Sequence, residues 1–354
     1  MKTPFVYDAL PIRVLFGVGT VAQIEPETER LGVRRALVVS TPGRGAAPAQ
    51  EVSALLGERS VGVHAGAVLH TPTDATERAL LVVKERRADA VVAVGGGSAT
   101  GLAKAIALRT DLPQIVLPTT YAGSEMTPIL GETEAGVKRT QRSRSVLPEV
   151  VIYDVDLTLG LPAGISAASG MNAIAHAVEA LYAKDGNPIV LLMAEEGIAT
   201  LARSLPRIAE DPRHLEARTV ALYGAWLCGM CLGAAGMALH HKLCHVLGGA
   251  FDLPHAETHA IILPHAVAYN APAVPEAMAR VARALGVTNA AQGLYALAGR
   301  LGIKQALRDS GMPEDGVDPA VDRAMADPYW NPRPLDRVEI RDLITRAWNG
   351  ESPC

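Results

Sequence analysis

Short apolar runs rich in β-branched residues alternate with amphipathic stretches along the first part of the chain. The runs predict buried strands at residues 34–40, 61–67, 88–94, 114–118 and 150–153. The stretches at residues 51–56 and 73–86 have helical spacing, and Thr73 or Asp74 would cap the second of them. Strands that alternate with helices predict a parallel sheet with helices on both faces.

The period of the apolar positions changes near residues 155–162, and only helical spacing follows. Helices are predicted at residues 169–184, 188–202, 215–232, 237–247, 275–285, 290–301 and 338–348. We therefore expect two domains, an α/β parallel-sheet domain at residues 1–157 and an all-α domain at residues 158–354. Because no low-complexity linker separates them, we expect the domains to pack tightly with a cleft between them.

Composition and charge narrow the classes of function. A formal net charge of -4 gives no electrostatic case for nucleic acid or an acidic membrane as a partner. No apolar run convincingly reaches the roughly 20 residues that a membrane span needs, and the N-terminus lacks the apolar core of a signal peptide. Four cysteines in 354 residues do not make a disulfide scaffold, so we expect a reducing, cytoplasmic environment.

Two loops at the ends of predicted strands are candidates for a nucleotide site. The first loop, which leads into a helix start, comprises Gly95, Gly96, Gly97 and Ser98. Its glycines would let a diphosphate approach the backbone N–H groups, although a tight turn without a ligand is the alternative, and the G-x-G-x-x-G spacing is missing. The second loop contributes Thr119, Thr120, Tyr121 and Ser124. Ligands of doubly wound sheets bind at the carboxyl ends of strands, so the two loops together predict a nucleotide site.

Histidines concentrate in the helical half of the chain. Asn172 and His176 are one helical turn apart, as are His241 and His245, so each pair would share a helix face. Imidazoles on one helix face, with His255 from a following loop, can form a divalent metal site. The alternative is a surface or helix-capping histidine. We favour that alternative for His70, His259 and His265.

Together these elements resemble the iron-containing (group III) alcohol dehydrogenase family over nearly the whole chain. The segments that carry the resemblance are residues 16–19, 95–104, 118–127, 154–158, 170–179 and 241–263. The resemblance implies a Rossmann-like α/β domain for a nicotinamide cofactor, followed by a helical domain. Within the family, the chain is similar to the maleylacetate reductases, which have a late segment like residues 327–334.

The resemblance also implies where a metal would be held. The family's ligands, an aspartate and three histidines, correspond to Asn172, His176, His241 and His255. Asn172 replaces the only anionic ligand, so hard divalent iron loses its best charge partner. We therefore expect no metal cofactor in this chain.

The implied cofactor is NADH, with NADPH also accepted. Ser40 stands at the end of a strand where many relatives place an aspartate that repels the 2′-phosphate of NADP. Thr127 and Lys138 are further positions where the resemblance implies contact with the nucleotide. A homodimer is the implied assembly.

The implied reaction is reduction of the C=C bond of maleylacetate, a small dicarboxylate, to 3-oxoadipate in the catabolism of aromatic compounds. Without a metal, donors must stabilise the enolate charge, and His241, His245 and His255 are the candidates, with His245 favoured as the proton donor. Lys242 and Tyr329 are candidates for binding the substrate carboxylates, although a solvated helix face and a packed aromatic are the alternatives. Further basic candidates are Arg139, Arg142, Arg144 and Arg333.

Other functions stay open at this point. A metal-dependent alcohol or polyol dehydrogenase of the same family is the main alternative, and Asn172 argues against it. A cyclase like dehydroquinate synthase would use NAD without net redox change. A nucleotide-binding protein without catalysis is the last alternative.

Overall fold

The computed structural model describes residues 4–134 and 137–354, with the side chains of residues 137 and 138 outside the description. It divides into two compact units. One is Ala9–Leu161, and the other joins residues 4–8 to Pro162–Cys354. The division lies slightly beyond the boundary expected after residue 157. The N-terminal segment was expected in the α/β domain but belongs to the helical unit. Asn187 Nδ2 of that unit donates to the carbonyl oxygen of Val6 at 3.4 Å.

The α/β unit is built on a parallel sheet. The strands are β1 (Arg13–Gly17), β2 (Ala36–Val39), β3 (Ser60–His64), β4 (Ala90–Gly95), β5 (Gln114–Pro118), β6 (Ile129–Glu134), β7 (Val137–Arg142) and β8 (Val150–Asp154). The sheet order is β1-β8-β5-β4-β2-β3, and all neighbouring strands are parallel. Strands β6 and β7 form a separate antiparallel hairpin. The strands inside the sheet are buried on both faces, which explains their continuous apolar runs.

Helices cover the sheet. They are α1 (Ile24–Arg30), α2 (Ala46–Leu55), α3 (Thr73–Glu85) and α4 (Gly97–Thr110). One apolar core joins residues of α1 and α2 to the strands, including Ile24, Val52, Val92 and Ile152. The edge strand β1 was not predicted, because its side chains are only half-buried and give a weak apolar signal.

The second unit is helical. Its helices are α5 (Ala163–Leu181), α6 (Pro188–Glu210), α7 (Leu215–Ala234), α8 (Leu239–Phe251), α9 (His255–Asn270), α10 (Pro275–Leu285), α11 (Ala290–Arg300), α12 (Val317–Ala326) and α13 (Arg337–Asn349). Every residue of α5 from Ser166 onward is buried. The fold class expected from the sequence, an α/β parallel-sheet unit followed by an all-α unit, is confirmed.

Helix α1 of the first unit and helices α9 and α12 of the second were not predicted. Helix α9 is buried on nearly all sides and contains Pro264, so it lacks both the amphipathic period and the composition by which a helix is recognised. Among the described residues, no single helix is long and apolar enough to cross a membrane. Helices α7 and α8 meet that test only as a pair, and they are bent by 95°.

Candidate active site

The glycine loop joins β4 to α4, and its glycines have no side chains of their own to cover the backbone. Gly95 has φ of 150°, and a Cβ atom there would lie 2.9 Å from the Cβ of Ala99. A Cβ atom at Gly96 would lie 2.8 Å from Oγ1 of Thr120. Gly97 begins α4, whose first N–H groups have no partner within the helix. This cradle of free N–H groups at a helix N-terminus fits the diphosphate of a dinucleotide.

The loop after β5 packs against the glycine loop. The N–H of Thr119 donates to the carbonyl oxygen of Gly95 at 3.0 Å. Thr119 and Thr120 are half-buried. The hydroxyl of Ser124 is buried and has no hydrogen-bond partner in the described part of the chain. A buried hydroxyl of this kind needs a partner, which a bound cofactor can supply.

The other predicted cofactor residues have different surroundings. Ser40 follows β2, and its hydroxyl is buried without a partner among the residues described. Tyr121 is completely buried, whereas a side chain that contacts the cofactor is expected to reach the surface of its site. The side chain of Lys138 lies outside the described part of the structure.

Thr127 belongs to a buried polar network that sequence reasoning missed. Its Oγ1 donates to the carbonyl oxygen of Ser124 at 2.9 Å and accepts from Nζ of Lys104 at 3.0 Å, so the fold itself uses this hydroxyl. Burial lowers the pKa of Lys104 to about 7, against the opposing effect of the Glu125 carboxylate. The hydroxyl of Tyr153 donates to Glu125 Oε1 at 2.8 Å.

Helices α5, α8 and α9 bring together a group of histidines, here called the histidine cluster. Its members are His176, His240, His241, His245, His255 and His259. The ring centroid of His241 lies 5.1 Å from that of His176, 4.9 Å from that of His259 and 6.2 Å from that of His245. His255 begins α9 and is not in a loop, and its ring centroid is 4.2 Å from that of His259. His259, expected as a surface or capping residue, is completely buried inside the cluster.

Glu179, which sequence reasoning missed, holds the cluster together. It is on α5, one turn after His176, on the helix face that Asn172 and His176 share. Its Oε2 accepts from Nδ1 of His241 at 2.6 Å and from the N–H of Ala238 at 2.9 Å. Burial opposes the charged form of Glu179, but His241 and the N–H donors outweigh it and lower the pKa of the carboxyl group. Glu179 is therefore a buried carboxylate.

The hydrogen bonds assign the tautomers of two neighbouring rings. Nδ1 of His241 faces the Glu179 carboxylate and so carries the proton, while Nε2 of His241 has no partner among the described residues. Nε2 of His240 donates to the carbonyl oxygen of His259 at 3.0 Å, which leaves a lone pair on Nδ1 of His240, 3.3 Å from Nδ1 of His241. One N–H of His241 thus lies between the carboxylate and a second imidazole.

Burial keeps much of the cluster neutral. It lowers the pKa of His240 to about 4, and His241 adds to the effect. The pKa values of His176 and His259 lie well below the usual value for the same reasons. These three imidazoles are uncharged at neutral pH, and the buried carboxylate beside them carries the negative charge.

The donor atoms of the cluster do not fit an iron ion. Asn172 Oδ1, His176 Nδ1 and His241 Nε2 lack partners in the described structure, and they stand at three of the four positions that correspond to the family's metal ligands. All three are uncharged, whereas hard divalent iron prefers at least one anionic oxygen. The Glu179 carboxylate is already bound to three N–H groups. The unsatisfied atoms fit polar atoms of a substrate or water instead.

A second group of nitrogens needs the same test. Ring nitrogens of His240, His241 and His259 lie within 4.8 Å of one another. A metal ion there would compete with the hydrogen bonds that already engage both nitrogens of His240 and Nδ1 of His241. Three neutral nitrogens again offer no anionic oxygen, so this triad does not suit iron either.

The segment that follows α12 lies against α8. The hydroxyl of Tyr329 is 3.0 Å from Nδ1 of His245. Nζ of Lys242 lies 5.2 Å from the centre of the Tyr329 ring and 3.6 Å from Oδ2 of Asp327. The Asp327 side chain is 92% exposed, so solvent screens this ion pair and an anionic ligand can replace it. The structure thus brings together the predicted residues Lys242, His245 and Tyr329.

The remaining basic candidates have structural partners or belong to the other unit. Arg333 donates to the carbonyl oxygen of Tyr269 at 2.9 Å and to both carboxylate oxygens of Glu339 at 2.7 Å. Its guanidinium is therefore committed to the fold. Three arginines belong to the α/β unit, on or just after β7: Arg139, Arg142 and Arg144.

Comparison with known proteins agrees with this architecture. The model of the iron-containing alcohol dehydrogenase family matches residues 11–155, and that of the C-terminal region of the Fe-containing alcohol dehydrogenase family matches residues 166–348. A maleylacetate reductase of Sphingobium indicum is 58% identical over 349 residues, which cover 99% of both chains.

Similar solved structures belong to the same family. The maleylacetate reductase of Agrobacterium tumefaciens is 53% identical, with a TM-score of 0.95 over 99% of this chain and 100% of that one. An iron-containing alcohol dehydrogenase of Corynebacterium glutamicum is 42% identical, with a TM-score of 0.94 over 100% of this chain and 99% of that one. The chain therefore belongs to the iron-containing alcohol dehydrogenase family and is an oxidoreductase.

Proposed function

We propose that this enzyme reduces the C=C bond of maleylacetate to 3-oxoadipate in the breakdown of aromatic compounds. NADH is the proposed hydride donor, NADPH is also accepted, and no metal ion takes part. The observation that carries the proposal is the 58% identity to the Sphingobium indicum maleylacetate reductase over 99% of both chains. The neutral donor set of the histidine cluster, which lacks an anionic oxygen, argues against iron.

The α/β unit offers the residues that would hold the cofactor. When bound, the reduced nicotinamide supplies a hydride, which adds to the alkene carbon β to the ketone. The N–H groups of Gly96 and Gly97 would hold the diphosphate. The Ser124 hydroxyl, which has no partner among the described residues, would donate to it or to the ribose. Ser40 carries no charge, so it does not repel the 2′-phosphate of NADPH.

Addition of a hydride to this alkene places negative charge on the ketone oxygen, which the chain must stabilise. His241 is the best candidate, because Glu179 holds its Nδ1–H and its Nε2 lacks a partner among the described residues. With a proton on Nε2, the imidazolium is stabilised by the carboxylate and donates to the ketone oxygen. The carbon α to the ketone then takes a proton. His245 keeps the proton-donor role expected from the sequence, with its ring fixed by Tyr329 at 3.0 Å.

The substrate is a dianion, and the helical unit offers a cation for one of its carboxylates. Lys242 is 9% exposed, and among the described residues its ion pair is with Asp327, which is highly exposed, so exchange for a substrate carboxylate costs little. The hydroxyl of Tyr329, which lies against His245, is a second donor. These side chains support a small dicarboxylate over an uncharged alcohol as the substrate.

The test is NADH oxidation by the purified protein with maleylacetate, with and without a chelator, together with elemental analysis. We expect substrate-dependent loss of NADH absorbance that the chelator leaves unchanged, and no activity with butanol, lactaldehyde or glycerol and NAD. Stoichiometric iron or zinc with activity lost on chelation would assign the enzyme to the metal-dependent alcohol dehydrogenases. Product formation without NADH consumption would indicate cyclase-type chemistry.

A further inference from the structure

A buried cation, Lys104, lies inside the turn that follows the second cofactor loop. Its side chain is 1% exposed. Nζ lies 2.6 Å from the carbonyl oxygens of Ser124 and Thr127 and 2.9 Å from that of Ile129, and Thr127 Oγ1 is 3.0 Å away. An ammonium group has three N–H bonds to donate and accepts none, so this ring of oxygens matches the charged form and opposes the burial that lowers the pKa of Lys104.

The turn is shaped around this charge. Three carbonyl oxygens converge on one point, and their dipoles would repel one another without a cation between them. Gly123 enters the turn with φ of 80°, and Ser124–Met126 forms a short 3-10 turn. Thr127 Oγ1 links Lys104 to the carbonyl oxygen of Ser124. The position of the Ser124 residue therefore depends on the Lys104 ammonium group.

Lys104 also connects the two candidate cofactor loops. It belongs to α4, whose first residues form the glycine loop, whereas Ser124 ends the loop after β5. At their other end, the loops are joined by the bond from the Thr119 N–H to the carbonyl oxygen of Gly95. Two separate links thus hold the loops at a fixed spacing.

We propose that Lys104 is a positioning residue for the nicotinamide cofactor. It holds the Ser124 turn against α4, so that the Ser124 hydroxyl and the free N–H groups of α4 meet the same bound dinucleotide. The inference rests on the proposed function, since it requires NADH to bind at these loops. The side chain itself, buried in the turn, touches no cofactor.

Lys104→Met tests this role, because methionine has a similar length and no charge. We expect the Kd for NADH, measured by fluorescence titration, to rise about tenfold or more, since binding must now also order the turn. The KM for NADH should rise in parallel. The kcat at saturating NADH and the KM for maleylacetate should change by less than about threefold.

Arg109→Met is the matched control. Arg109 is on the same helix and also ties it to a neighbouring element, through an ion pair with Glu132 at 2.9 Å. Its variant should lower the unfolding temperature but leave the Kd for NADH unchanged. An equal rise in Kd for both variants would indicate general loosening of the unit and would overturn the proposal.

The remaining outcomes separate the two hypotheses. An unchanged Kd for a Lys104→Met protein that is folded by circular dichroism overturns the inference. A wild-type protein that binds no NADH overturns the proposed function instead. If Lys104→Met does not fold, Thr127→Val replaces it, because it removes only the hydroxyl between Lys104 and Ser124. A raised Kd in that variant supports the positioning role, and an unchanged Kd overturns it.

Discussion

Glu179→Gln is the substitution that tests the histidine cluster most directly. The carboxylate accepts from Nδ1 of His241 and from the N–H groups of Ala238 and His240 at 2.6–2.9 Å, and the residue is completely buried. Glutamine keeps one acceptor oxygen but turns an NH₂ group toward a donor. Loss of hydrogen bonds to a buried charged group costs about 1.5–3 kcal/mol, so we expect the free energy of unfolding to fall by about that amount.

The same substitution should affect the reaction separately from stability. Without the carboxylate, Nδ1 of His241 loses the partner that fixes its tautomer and stabilises its charged form. In the serine protease triad, loss of the equivalent carboxylate lowers kcat about 10⁴-fold. We expect a loss on the order of 10²–10⁴-fold here, because the remaining cluster still binds substrate.

The assay compares two glutamine variants under identical conditions. Urea unfolding followed by circular dichroism gives stability, and NADH oxidation with saturating maleylacetate gives kcat. Glu195→Gln is the control, because Glu195 lies in the same unit but pairs near the surface with Arg280 and Arg283 at 2.8 and 2.6 Å. It should lose about 1 kcal/mol or less and keep full activity. A folded Glu179→Gln enzyme with kcat within about threefold of wild type would refute the role of the carboxylate.

Three further predictions concern charge in the helical unit. Asn172→Asp restores the family's anionic ligand, and we expect this variant, unlike the wild type, to retain near-stoichiometric iron or zinc in elemental analysis after dialysis. Burial lowers the pKa values of His240 and His265 to about 4. The unfolded state therefore binds more protons than the folded state below pH 6.5. Each of these histidines should lower the free energy of unfolding by about 2 kcal/mol at pH 5, as measured by urea unfolding at a series of pH values. A free energy of unfolding that stays constant between pH 7 and 5 would contradict this. Lys242→Met should raise the KM for maleylacetate about tenfold or more while the KM for NADH stays unchanged, and an equal rise in both would exclude a carboxylate contact.

The α/β unit could be predicted well because its strands are buried on both faces. Continuous apolar runs between glycine turns identified β2, β4, β5 and β8, and the switch to helical spacing identified the second unit. Helix α9 escaped prediction for the opposite reason. It is buried on nearly every side, so polar residues such as His259 and His265 interrupt the apolar pattern where a surface helix would show a polar face.

The partners of buried polar groups could not be predicted in the same way. Glu179 and His241 are 62 residues apart in sequence, and their contact depends on how α5 packs against α8. Lys104 gave a weaker signal still, since a lysine in an alanine-rich helix is normally a solvent-exposed residue. In both cases the charged side chain is buried because backbone groups of another element point at it. Sequence periodicity carries no information about such groups.

The position of the carboxylate connects the missing metal ligand with the proposed chemistry. In the family pattern, the negative charge is on the residue at position 172, where it would bind a cation directly. Here that residue is an amide, and the nearest buried carboxylate on the same helix face is Glu179, which contacts Nδ1 of His241. A carboxylate that accepts from Nδ1–H of an imidazole fixes the tautomer of the ring and leaves the Nε2 lone pair for whatever occupies the site. In the proposed reaction, Nε2 of His241 would then be the atom that faces the ketone oxygen, with its ring held by Glu179.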